Sequence, residues 1–344
     1  MIPALRVVRP GFHSTVQDEG RFGFRHVGVP VAGALDRDGY ALANALVGNS
    51  AGAACLELIG SGPEFEVVAS SVRISLVGGL DALKIKGGGE RIVRAGQSIR
   101  LSRGECVRAQ LGGDAFCSYL AIEGGFDVPM GLGSRSTYTR AGFGGFSGRV
   151  LREGDVLQAF IADVATRDEL ALGAERDLRL AQPIRAVLGP QDNHFTNVAI
   201  DEFLHGNYTI TPASDRMGFR LEGPALEHKS DYNIVSDSIV PGSIQVPGSK
   251  LPIVLMADAQ TTGGYAKIAT VISADLPVLG VRSAGRGVKF QLVSRDQAED
   301  IRRAEHRRLL NIIGDIRPVS DAGRIRLDAL FNQNLIDGVI DAKV

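Results

Sequence analysis

The chain is patterned as many short runs of apolar and β-branched residues, each bounded by glycine, proline, aspartate or serine. Such runs, with turn residues at short intervals, are typical of strands in a β-barrel or sandwich rather than of alternating βαβ units. The pattern therefore predicts a mainly β protein. The predicted strands are Leu5–Val8, Leu56–Ile59, Phe65–Val68, Val72–Val77, Ile99–Ser102, Phe116–Ile122, Ile184–Leu188, Tyr208–Thr211, Ile253–Met256, Ile268–Ile272 and Val288–Val293.

Three segments are patterned as helices instead. Asp36–Val47 and Thr196–Leu204 each open with a residue type that caps helix N-termini, and each is followed closely by glycine. Arg295–Ile313 is the longest, and Ser294 and Gln297 stand at its start in capping-box spacing. We therefore expect a few short helices and one longer C-terminal helix on a β framework.

A change of composition marks the expected boundary between two domains. Residues 161–182 are charged, alanine-rich and poor in glycine, which indicates a short helical linker. We expect an N-terminal β-barrel domain over residues 1–162, a linker over 163–182 and a C-terminal β-barrel domain over 183–344 that carries the helix at 295–313. A chain of 344 residues is long enough for two domains with separate cores.

A short internal repeat supports the idea of two related halves. Arg21–Arg25 (RFGFR) matches Arg216–Arg220 (RMGFR), and the same spacing pairs Asp36 with Asp231. A short match can arise by chance in a glycine-rich chain, but a spacing that is kept at further positions favours duplication of one β-domain. The hypothesis predicts two barrels of similar topology that superpose at the two copies of the motif.

Composition and charge narrow the class of function. The apolar fraction of 44% and the charged fraction of 22% are those of a soluble globular protein. The net charge of −1 gives no electrostatic reason to expect nucleic acid or a membrane surface as a partner, and no apolar run is long enough to span a bilayer. The N-terminus lacks signal-peptide features, and Cys55, Cys106 and Cys117 form no CxxC pair. We therefore expect buried, inert thiols and a cytoplasmic protein.

Several common chemistries lack their sequence signatures. There is no GxxxxGK[ST] loop for nucleotide phosphates, no GxGxxG turn before a helix, no HExxH or paired-cysteine metal motif and no GxSxG nucleophile elbow. No Met-Lys-Met-type biotin attachment sequence occurs either, so any biotin involved would be carried by another chain. The sequence therefore predicts no metal site.

The stretch from Gly242 to Asp275 concentrates groups that can hold a small polar molecule. Within it, a connection between two apolar runs carries Asp258, Gln260, Thr261, Thr262, Gly263, Gly264, Tyr265 and Lys267. Paired glycines let backbone N–H groups approach a ligand closely. A hairpin turn whose polar residues face water is the simpler interpretation of one such loop, but a second polar cluster at Ser214–Gly218 weakens it.

Long motifs in a fixed order then resemble one known family over nearly the whole chain. They are PGFHSTVQDEGRFGFRHVGVPVAGALD (Pro10–Asp36), ALANALVGN (Ala41–Asn49), LELIGSGPEF (Leu56–Phe65), EGGFDVPMGLGSRSTY (Glu123–Tyr138), GPQDNHFT (Gly189–Thr196), SDRMGFRLEGP (Ser214–Pro224) and the IQVPG…ADAQTTGGYAKIATV block. The chain resembles the KipA-like family, which includes the C subunit of 5-oxoprolinase, the second subunit of allophanate hydrolase and part of the carboxyltransferase domain of urea carboxylase. The resemblance implies a fold of two cyclophilin-like β-barrels.

The resemblance also implies a role in a complex. Members of this kind are similar to components of an ATP-dependent 5-oxoprolinase, which opens the pyroglutamate lactam to glutamate. It implies a KipI-like partner, a third LamB/YcsF-like subunit, ATP with Mg in the assembled complex, and an isolated chain that is inactive. The sequence departs from the family at two positions: Ala259 stands where arginine is common and Ala266 where proline is common. Loss of that arginine removes a candidate clamp for a substrate carboxylate.

Lactam opening assigns roles to the polar residues, because the site must hold anions and stabilise developing negative charge. Arg216 and Lys267 are the expected cations, while Asp215 and Asp258 would hold a metal-bound phosphate or act as base toward water. These four are the predicted catalytic residues. The predicted substrate-binding residues are Gln245, Gln260, Thr261, Thr262 and Tyr265. Strand alternation would place Tyr265 on the same face as Lys267. We expect one concave surface to be lined by Asp215, Arg216, Gln245, Asp258, Gln260, Thr261, Thr262 and Lys267.

Simpler structural roles stay open for several of these residues. Asp215 and Arg216 fit a local salt bridge in a turn equally well, and Lys267 fits an exposed lysine at the start of a strand. In the first half, Gln17, Asp18 and Arg21 mirror the Ser214–Gly218 cluster without a comparable glycine-rich loop, so we expect a structural or interface role there.

Three functions remain open on the sequence. The first is the C component of an ATP-dependent 5-oxoprolinase. The second is a carboxyltransferase half-site that accepts carboxyl-biotin from another chain and transfers the carboxyl group to a urea-like amine. The third is a non-catalytic regulator that binds a KipI-like kinase inhibitor. The first two require a pocket for a small-molecule substrate, whereas the third requires only a protein interface.

Overall fold

The computed structural model describes residues 2–79, 81–113 and 115–319 of the chain. Within these ranges the helices are α1 (Arg37–Leu46), α2 (Asn197–His205), α3 (Leu276–Gly280) and α4 (Arg295–Gly314). Strands before residue 183, in what we call the N-terminal half, are β1 (Ile2–Arg9), β2 (His13–Gln17), β3 (Cys55–Ile59), β4 (Glu64–Val67), β5 (Ser71–Val77), β6 (Ala82–Lys86), β7 (Glu90–Arg94), β8 (Gln97–Ser102), β9 (Cys106–Gln110), β10 (Cys117–Ile122), β11 (Val156–Ala159) and β12 (Leu170–Ala171). Strands after it, in the C-terminal half, are β13 (Ile184–Leu188), β14 (Tyr208–Ile210), β15 (Gly218–Glu222), β16 (Asn233–Ser238), β17 (Ser243–Gln245), β18 (Ile253–Leu255), β19 (Thr262–Tyr265), β20 (Lys267–Val271), β21 (Gly287–Val288), β22 (Phe290–Leu292) and β23 (Arg317–Pro318).

The N-terminal half encloses an apolar core between curved sheets. One sheet has the strand order β11-β1-β4-β9-β6-β7 and another the order β2-β3-β10-β5-β8-β12-β23. Leu5 and Phe65 from the first and Leu120 from the second are fully buried in the same cluster. Alternation decides which face is inside: in β6, Leu83 is buried while its neighbour Lys84 is only half-buried.

The C-terminal half is built on a sheet with the order β21-β14-β15-β18-β17-β20-β13-β22. In this sheet β13 runs antiparallel to β20 and parallel to β22. Helix α2 covers one end, where the ring of Phe203 stacks on Phe290 of β22 with 4.5 Å between ring centroids. Strands β16 and β19 pair with each other outside this sheet, and we call them the ribbon (Asn233–Ser238 and Thr262–Tyr265).

A shared apolar cluster joins the two halves. Tyr119 of β10 is buried together with Phe219 of β15 and Ile268 of β20. Backbone hydrogen bonds also cross the boundary, as where Phe116 N donates to Val281 O at 2.6 Å. The two halves are therefore packed against each other through buried side chains as well as backbone hydrogen bonds.

The predicted fold class, mainly β with few helices, is confirmed, and the predicted helices are found within one residue of their expected ends. The Thr196 side chain accepts a hydrogen bond from Ala199 N at the start of α2, and Ser294 and Gln297 form the expected capping box of α4. Strands such as β7, which is mostly exposed and charged, escaped prediction because they lack an apolar run. Among the described helices, none combines the length and the apolar character needed to cross a membrane.

The predicted helical linker is wrong. Residues 161–182 are irregular apart from β12, which pairs with β8 and β23. Glu169 explains the extended path, because its carboxylate accepts hydrogen bonds from Arg73 Nε and from the Arg100 backbone N–H. Anchoring to the sheet outweighs local helix propensity here. The domain boundaries stay a prediction, and the C-terminal end at residue 344 lies outside the described residues.

The two copies of the internal repeat adopt different local structures. Arg21–Arg25 is irregular and leads into a 3-10 turn, whereas Arg216–Arg220 runs into β15. Asp36 caps α1 by accepting a hydrogen bond from Gly39 N, but Asp231 accepts from the N–H of a residue two positions on, before the ribbon. The two copies therefore serve different local structures, and the duplication of one β-domain stays a prediction.

Candidate functional site

A cavity of about 790 Å³ lies where the two halves meet. Sites for small molecules typically have volumes of about 300–1,000 Å³. Its N-terminal lining is Phe12, His13, Ile59, Phe116, Thr139 and Arg140. Its C-terminal lining is Pro212, Ser214, Asp215, Arg216, Met217, Gly218, Arg220, Gln245, Pro247, Ile253, Leu255, Asp258, Gln260 and Tyr265. The cavity therefore mixes apolar walls with several charged and amide groups.

Most of the predicted site residues converge on this cavity although they come from separate segments. Those that line it are Asp215, Arg216, Gln245, Asp258, Gln260 and Tyr265. Thr261, Thr262 and Lys267 do not. Thr261 O accepts a hydrogen bond from Ile239 N at 2.9 Å, and Thr262 pairs with Ser238 in the ribbon. The expected single concave surface is thus found for part of the set, and the individual roles stay predictions.

Arg216 is held by carboxylates from both halves. Its Nε donates to Asp258 Oδ2 at 2.9 Å and its Nη2 to Asp258 Oδ1 at 2.8 Å, which is the bidentate geometry that guanidinium favours. Its Nη1 donates to Glu57 of β3, and Nη2 also donates to Gly33 O at 2.8 Å. We call Glu57, Arg216 and Asp258 the Arg216 cluster. Every nitrogen of the guanidinium is engaged, so Arg216 shapes the floor of the cavity rather than acting as a free anion clamp.

Glu57 was not predicted, although it is fully buried in the middle of β3. Its Oε2 accepts hydrogen bonds from Tyr119 Oη at 2.5 Å and from Leu35 N at 3.0 Å, while Oε1 faces Arg216. A charge at the centre of an otherwise apolar strand, as in Cys55–Ile59, was the available signal, since buried charges are nearly always paired.

Burial and charge pull the pKa values of Arg216 and Asp258 in opposite directions. Burial alone would lower the pKa of Arg216, but Asp258 and Glu57 outweigh it and raise that pKa above its usual range. Burial raises the pKa of Asp258, and the contact with Arg216 opposes that rise. The guanidinium therefore keeps its proton. Its ion pairs with Glu57 and Asp258 link the two halves.

Asp215 has a structural role in its turn. Its Oδ1 accepts hydrogen bonds from Met217 N at 2.8 Å and Gly218 N at 3.2 Å, the geometry of an Asx-type turn. The local salt bridge between Asp215 and Arg216 is therefore wrong as an interpretation, because Arg216 pairs with Asp258 and Glu57 instead. The Asp215 side chain remains exposed at the cavity wall.

Lys267 is buried, against the interpretation of an exposed lysine. Its Nζ donates to Asp237 Oδ2 at 2.7 Å and to Ser238 O at 3.1 Å, and both acceptors lie in the ribbon. The hydrogen bond from Lys267 lowers the pKa of Asp237 to about 2, and contacts with Ser238 and Gln191 act in the same direction. Lys267 therefore fastens the ribbon to the barrel, and its catalytic role stays a prediction.

Tyr265 and Lys267 do not share a strand face as alternation suggested. Tyr265 ends β19 in the ribbon and lines the cavity, whereas Lys267 begins β20 in the main sheet, because the chain leaves one sheet for the other at Ala266. Gly263 also serves packing, because a Cβ there would lie 2.7 Å from Nε2 of Gln245. Close backbone approach is used here by the protein itself.

Three further groups at the cavity escaped prediction. His13 of β2 is half-buried, and its Nδ1 has no hydrogen-bond partner among the described residues. Arg140 and Arg220 are exposed at the cavity and form no ion pair with a described carboxylate, although Arg140 Nη1 contacts Met217 Sδ. These two guanidiniums are placed to attract an anion that enters the cavity.

Comparison with known proteins identifies the family of the chain that carries this site. The family model described as "Carboxyltransferase domain, subdomain A and B" matches residues 27–292. The chain belongs to this carboxyltransferase-domain family. The KipA-like resemblance is confirmed, since the same family membership links the chain to the relatives below.

Two relatives match most of this chain over nearly their own full length. The chain is 37% identical over 310 residues to the C subunit of 5-oxoprolinase from Escherichia coli, a match that spans 88% of this chain and 96% of that protein. It is 36% identical over 295 residues to the Haemophilus influenzae protein of the same name, with 84% and 91% covered.

A solved structure of the family has the same fold. The crystal structure of the Kluyveromyces lactis urea carboxylase superposes with a TM-score of 0.80 at 26% identity, over 95% of this chain and 31% of that one. The Arg216 cluster and the cavity beside it thus belong to a fold that also occurs within a much larger urea carboxylase.

Proposed function

We propose that the chain is a subunit of a 5-oxoprolinase-type complex and that the cavity between its halves binds the cyclic amide substrate. The observation that carries the proposal is the near full-length match to a 5-oxoprolinase C subunit, at 37% identity with 96% of that protein covered. Because that relative is named as one part of a complex, the chain is proposed to act with other chains, a KipI-like subunit and a LamB/YcsF-like subunit.

The lining of the cavity suits a small acidic amide. Arg140 and Arg220 offer guanidiniums for a carboxylate, while Gln245, Gln260 and Tyr265 offer amide and phenol groups for a ring carbonyl or ring N–H. The apolar part of the lining would limit the access of water to the amide and phenol groups and so strengthen their contacts. In the proposal this chain binds and orients the lactam, and the Arg216 cluster keeps the wall rigid.

Both carboxylates that were predicted to hold a metal-bound phosphate already accept hydrogen bonds from within the chain. Asp258 is engaged by Arg216 and Asp215 by backbone N–H groups, and no group of three or more His, Cys, Asp or Glu side chains in the described part of the chain is placed to hold a metal. We therefore assign the nucleotide of the assembled complex to a partner chain. The free thiols of Cys55, Cys106 and Cys117 are consistent with a cytoplasmic complex.

A carboxyltransferase half-site is the second candidate. It is favoured by the family match and by the TM-score of 0.80 with urea carboxylase. In that case the cavity would receive a urea-like amine, and biotin would be carried by another chain. The same lining serves either substrate, because urea and a lactam both present N–H groups beside a carbonyl.

Reconstitution tests the proposal. The purified chain alone is expected to form no glutamate from 5-oxoproline and ATP, and glutamate should appear when the KipI-like and LamB/YcsF-like subunits are added. Full turnover by the isolated chain would contradict its assignment as one part of a complex. Carboxylation of urea with a biotinylated carrier would favour the second candidate, and tight binding of a KipI-like protein without any turnover would indicate a regulator.

A further inference from the structure

Leu132 lies at the tip of a tight hairpin turn, in a backbone conformation that leucine rarely adopts. Gly131 N donates to Ser134 O at 2.8 Å and Ser134 N donates to Gly131 O at 3.2 Å, so Leu132 and Gly133 form a two-residue loop. Both loop residues have positive φ, 53° and 75°, as in a type I′ turn, where asparagine followed by glycine is preferred. The leucine is 42% exposed, so burial in this chain does not explain the strain. Strained residues of this kind cluster at functional sites.

Buried polar groups hold this turn in place. Asp18 Oδ1 accepts a hydrogen bond from Ser134 Oγ at 2.6 Å, and Asp18 Oδ2 accepts one from Arg135 N at 2.5 Å. Arg21 Nε donates to Gly131 O at 3.3 Å. Asp18 and Arg21, for which we expect a structural or interface role, thus support the turn from below. A surface that is fixed before binding loses less conformational entropy when a partner binds.

Three more exposed apolar side chains surround the turn. Phe22 and Met130 each adjoin one partner of the hydrogen bond that ties the turn to its support, and both are 58% exposed. Phe160 is 48% exposed, and the guanidinium of Arg135 lies over its ring, 5.3 Å from the centroid. We call Phe22, Met130, Leu132 and Phe160 the Leu132 patch. None of its members lines the cavity, and clustered exposed apolar side chains mark interaction sites.

The charges beside the Leu132 patch are mainly positive. The guanidinium of Arg37 lies 5.5 Å from the ring centroid of Phe22, and Arg135 forms no ion pair with a described carboxylate. Glu19 is close enough to offset part of the charge of Arg37. Aromatic residues, methionine and arginine are the types enriched in protein interfaces. The complementary surface is therefore an apolar pocket with carboxylates at its rim.

We propose that the Leu132 patch docks another protein subunit, which receives the Leu132 side chain in an apolar pocket rimmed by carboxylates. The inference rests on the proposed function in taking the KipI-like subunit as that partner. The patch adjoins the cavity: a Cβ on Gly131 would lie 2.6 Å from the ring of Phe143, and the segment before Phe143 carries Arg140 into the cavity lining. A subunit docked here lies beside the candidate site without filling it.

Calorimetric titration of the purified chain with a KipI-like subunit tests this surface. Leu132→Asn removes the apolar side chain but suits the turn, so its melting temperature should equal or exceed that of wild type while Kd rises about tenfold or more. Met130→Gln keeps the length of its side chain and should raise Kd about threefold to tenfold. Leu310→Asn is the matched control, because Leu310 is 52% exposed on α4 outside the patch, and its Kd should be unchanged. An unchanged Kd for Leu132→Asn would overturn the inference.

The binding measurement needs no turnover, so it separates this inference from the proposed function. If the complex fails to open 5-oxoproline but Leu132→Asn still weakens binding, the proposed function falls and the docking surface stands. The wild-type Kd should rise with ionic strength, because arginines would face carboxylates across the interface, and a Kd independent of salt would contradict the carboxylate rim. The inference is also overturned if wild type does not bind the KipI-like subunit, or if Leu132→Asn abolishes only self-association in sedimentation.

Discussion

Arg216 donates two parallel hydrogen bonds of 2.9 and 2.8 Å to Asp258, and it also donates a hydrogen bond to Glu57 from the other half of the molecule. Two carboxylates thus share one buried guanidinium at the floor of the cavity. Desolvation of such groups is costly, and the arrangement is stable only while all the partners are present. The cluster therefore ties the shape of the candidate site to the contact between the halves.

Arg216→Met should be strongly destabilising. The variant leaves Glu57 and Asp258 buried and unpaired, and breaking a buried ion pair by removing one partner typically costs about 3–5 kcal/mol. The free energy of unfolding, measured by urea denaturation, is expected to fall by that amount. Arg220→Met, an exposed arginine on β15, is the control and should change stability little. A small loss for Arg216→Met would show that the cluster does not join the halves.

Glu57→Gln tests the same cluster from the N-terminal half. The amide keeps the size of the side chain but removes the charge opposite Arg216, and one buried hydrogen bond to a charged group is worth about 1.5–3 kcal/mol. We expect a loss of that size in the free energy of unfolding. The loss of stability in the double variant with Arg216→Met should be smaller than the sum of the losses in the two single variants, because both residues belong to one network. Strict additivity would mean that the two residues act independently.

The ion pair between Lys267 and Asp237 predicts an acid-sensitive contribution to stability. The pKa of Asp237 lies near 2 in the folded chain, below its ordinary value of 3.8, so the pair stabilises the fold above about pH 4 and its contribution disappears as the pH falls toward 2. Melting curves from pH 6 to pH 2 should show a smaller decline for Asp237→Asn than for wild type across this window. Identical declines in the two proteins would contradict this pH linkage.

How far the sequence predicts this structure depends on whether the deciding interactions are local. Helix ends were predictable because Thr196, Ser294 and Gln297 act on backbone groups within three residues. The pairing of Arg216 with Glu57 was not predictable, because the two residues are 159 positions apart in the chain and no local pattern beside either one indicates the other as its partner. The convergence of Gln245 and Gln260 was predictable in kind, because polar groups at the ends of apolar strands gather at one edge of a sheet.

Lys267 shows the limit of strand patterns. Alternation places it beside Tyr265 only if one strand continues through Ala266, and the structure breaks the strand there. The pattern of the sequence therefore predicted a polar loop correctly, but it could not divide that loop between the ribbon and the barrel. That division depends on the pairing of β19 with β16 and of β20 with β17, which are tertiary contacts.

Lys267→Ala should accordingly lower stability, in contrast to the small effect expected of an exposed lysine. The residue is 2% exposed and its ammonium group holds the ribbon, so we expect a loss of about 1–3 kcal/mol in the free energy of unfolding. Lys250→Ala is the matched control, because its ion pair with Glu227 is exposed and such pairs contribute about 0–1 kcal/mol. If both variants melt like wild type, the ribbon is held by other contacts.

Arg140 and Arg220 should select a substrate that carries a carboxylate. Both guanidiniums lie exposed at the cavity without a described carboxylate partner, so they are free to pair with an incoming anion, whereas Arg216 is occupied. Arg140→Gln and Arg220→Gln are each expected to raise KM for 5-oxoproline by about threefold to tenfold in the reconstituted complex, with kcat little changed, since the contact is made equally in ground and transition states.

The carboxylate contact can be separated from general damage to the cavity by a ligand that lacks it. 2-Pyrrolidinone has the same lactam ring as 5-oxoproline without the carboxylate, so its inhibition constant should be the same in wild type, Arg140→Gln and Arg220→Gln. If the variants raise both the KM for 5-oxoproline and the inhibition constant of 2-pyrrolidinone, the arginines maintain the shape of the cavity rather than bind the substrate anion. Because a carboxylate pair is screened by salt, the difference in KM between wild type and variants should also shrink as ionic strength increases. A difference that persists at high salt would contradict electrostatic capture at the cavity mouth.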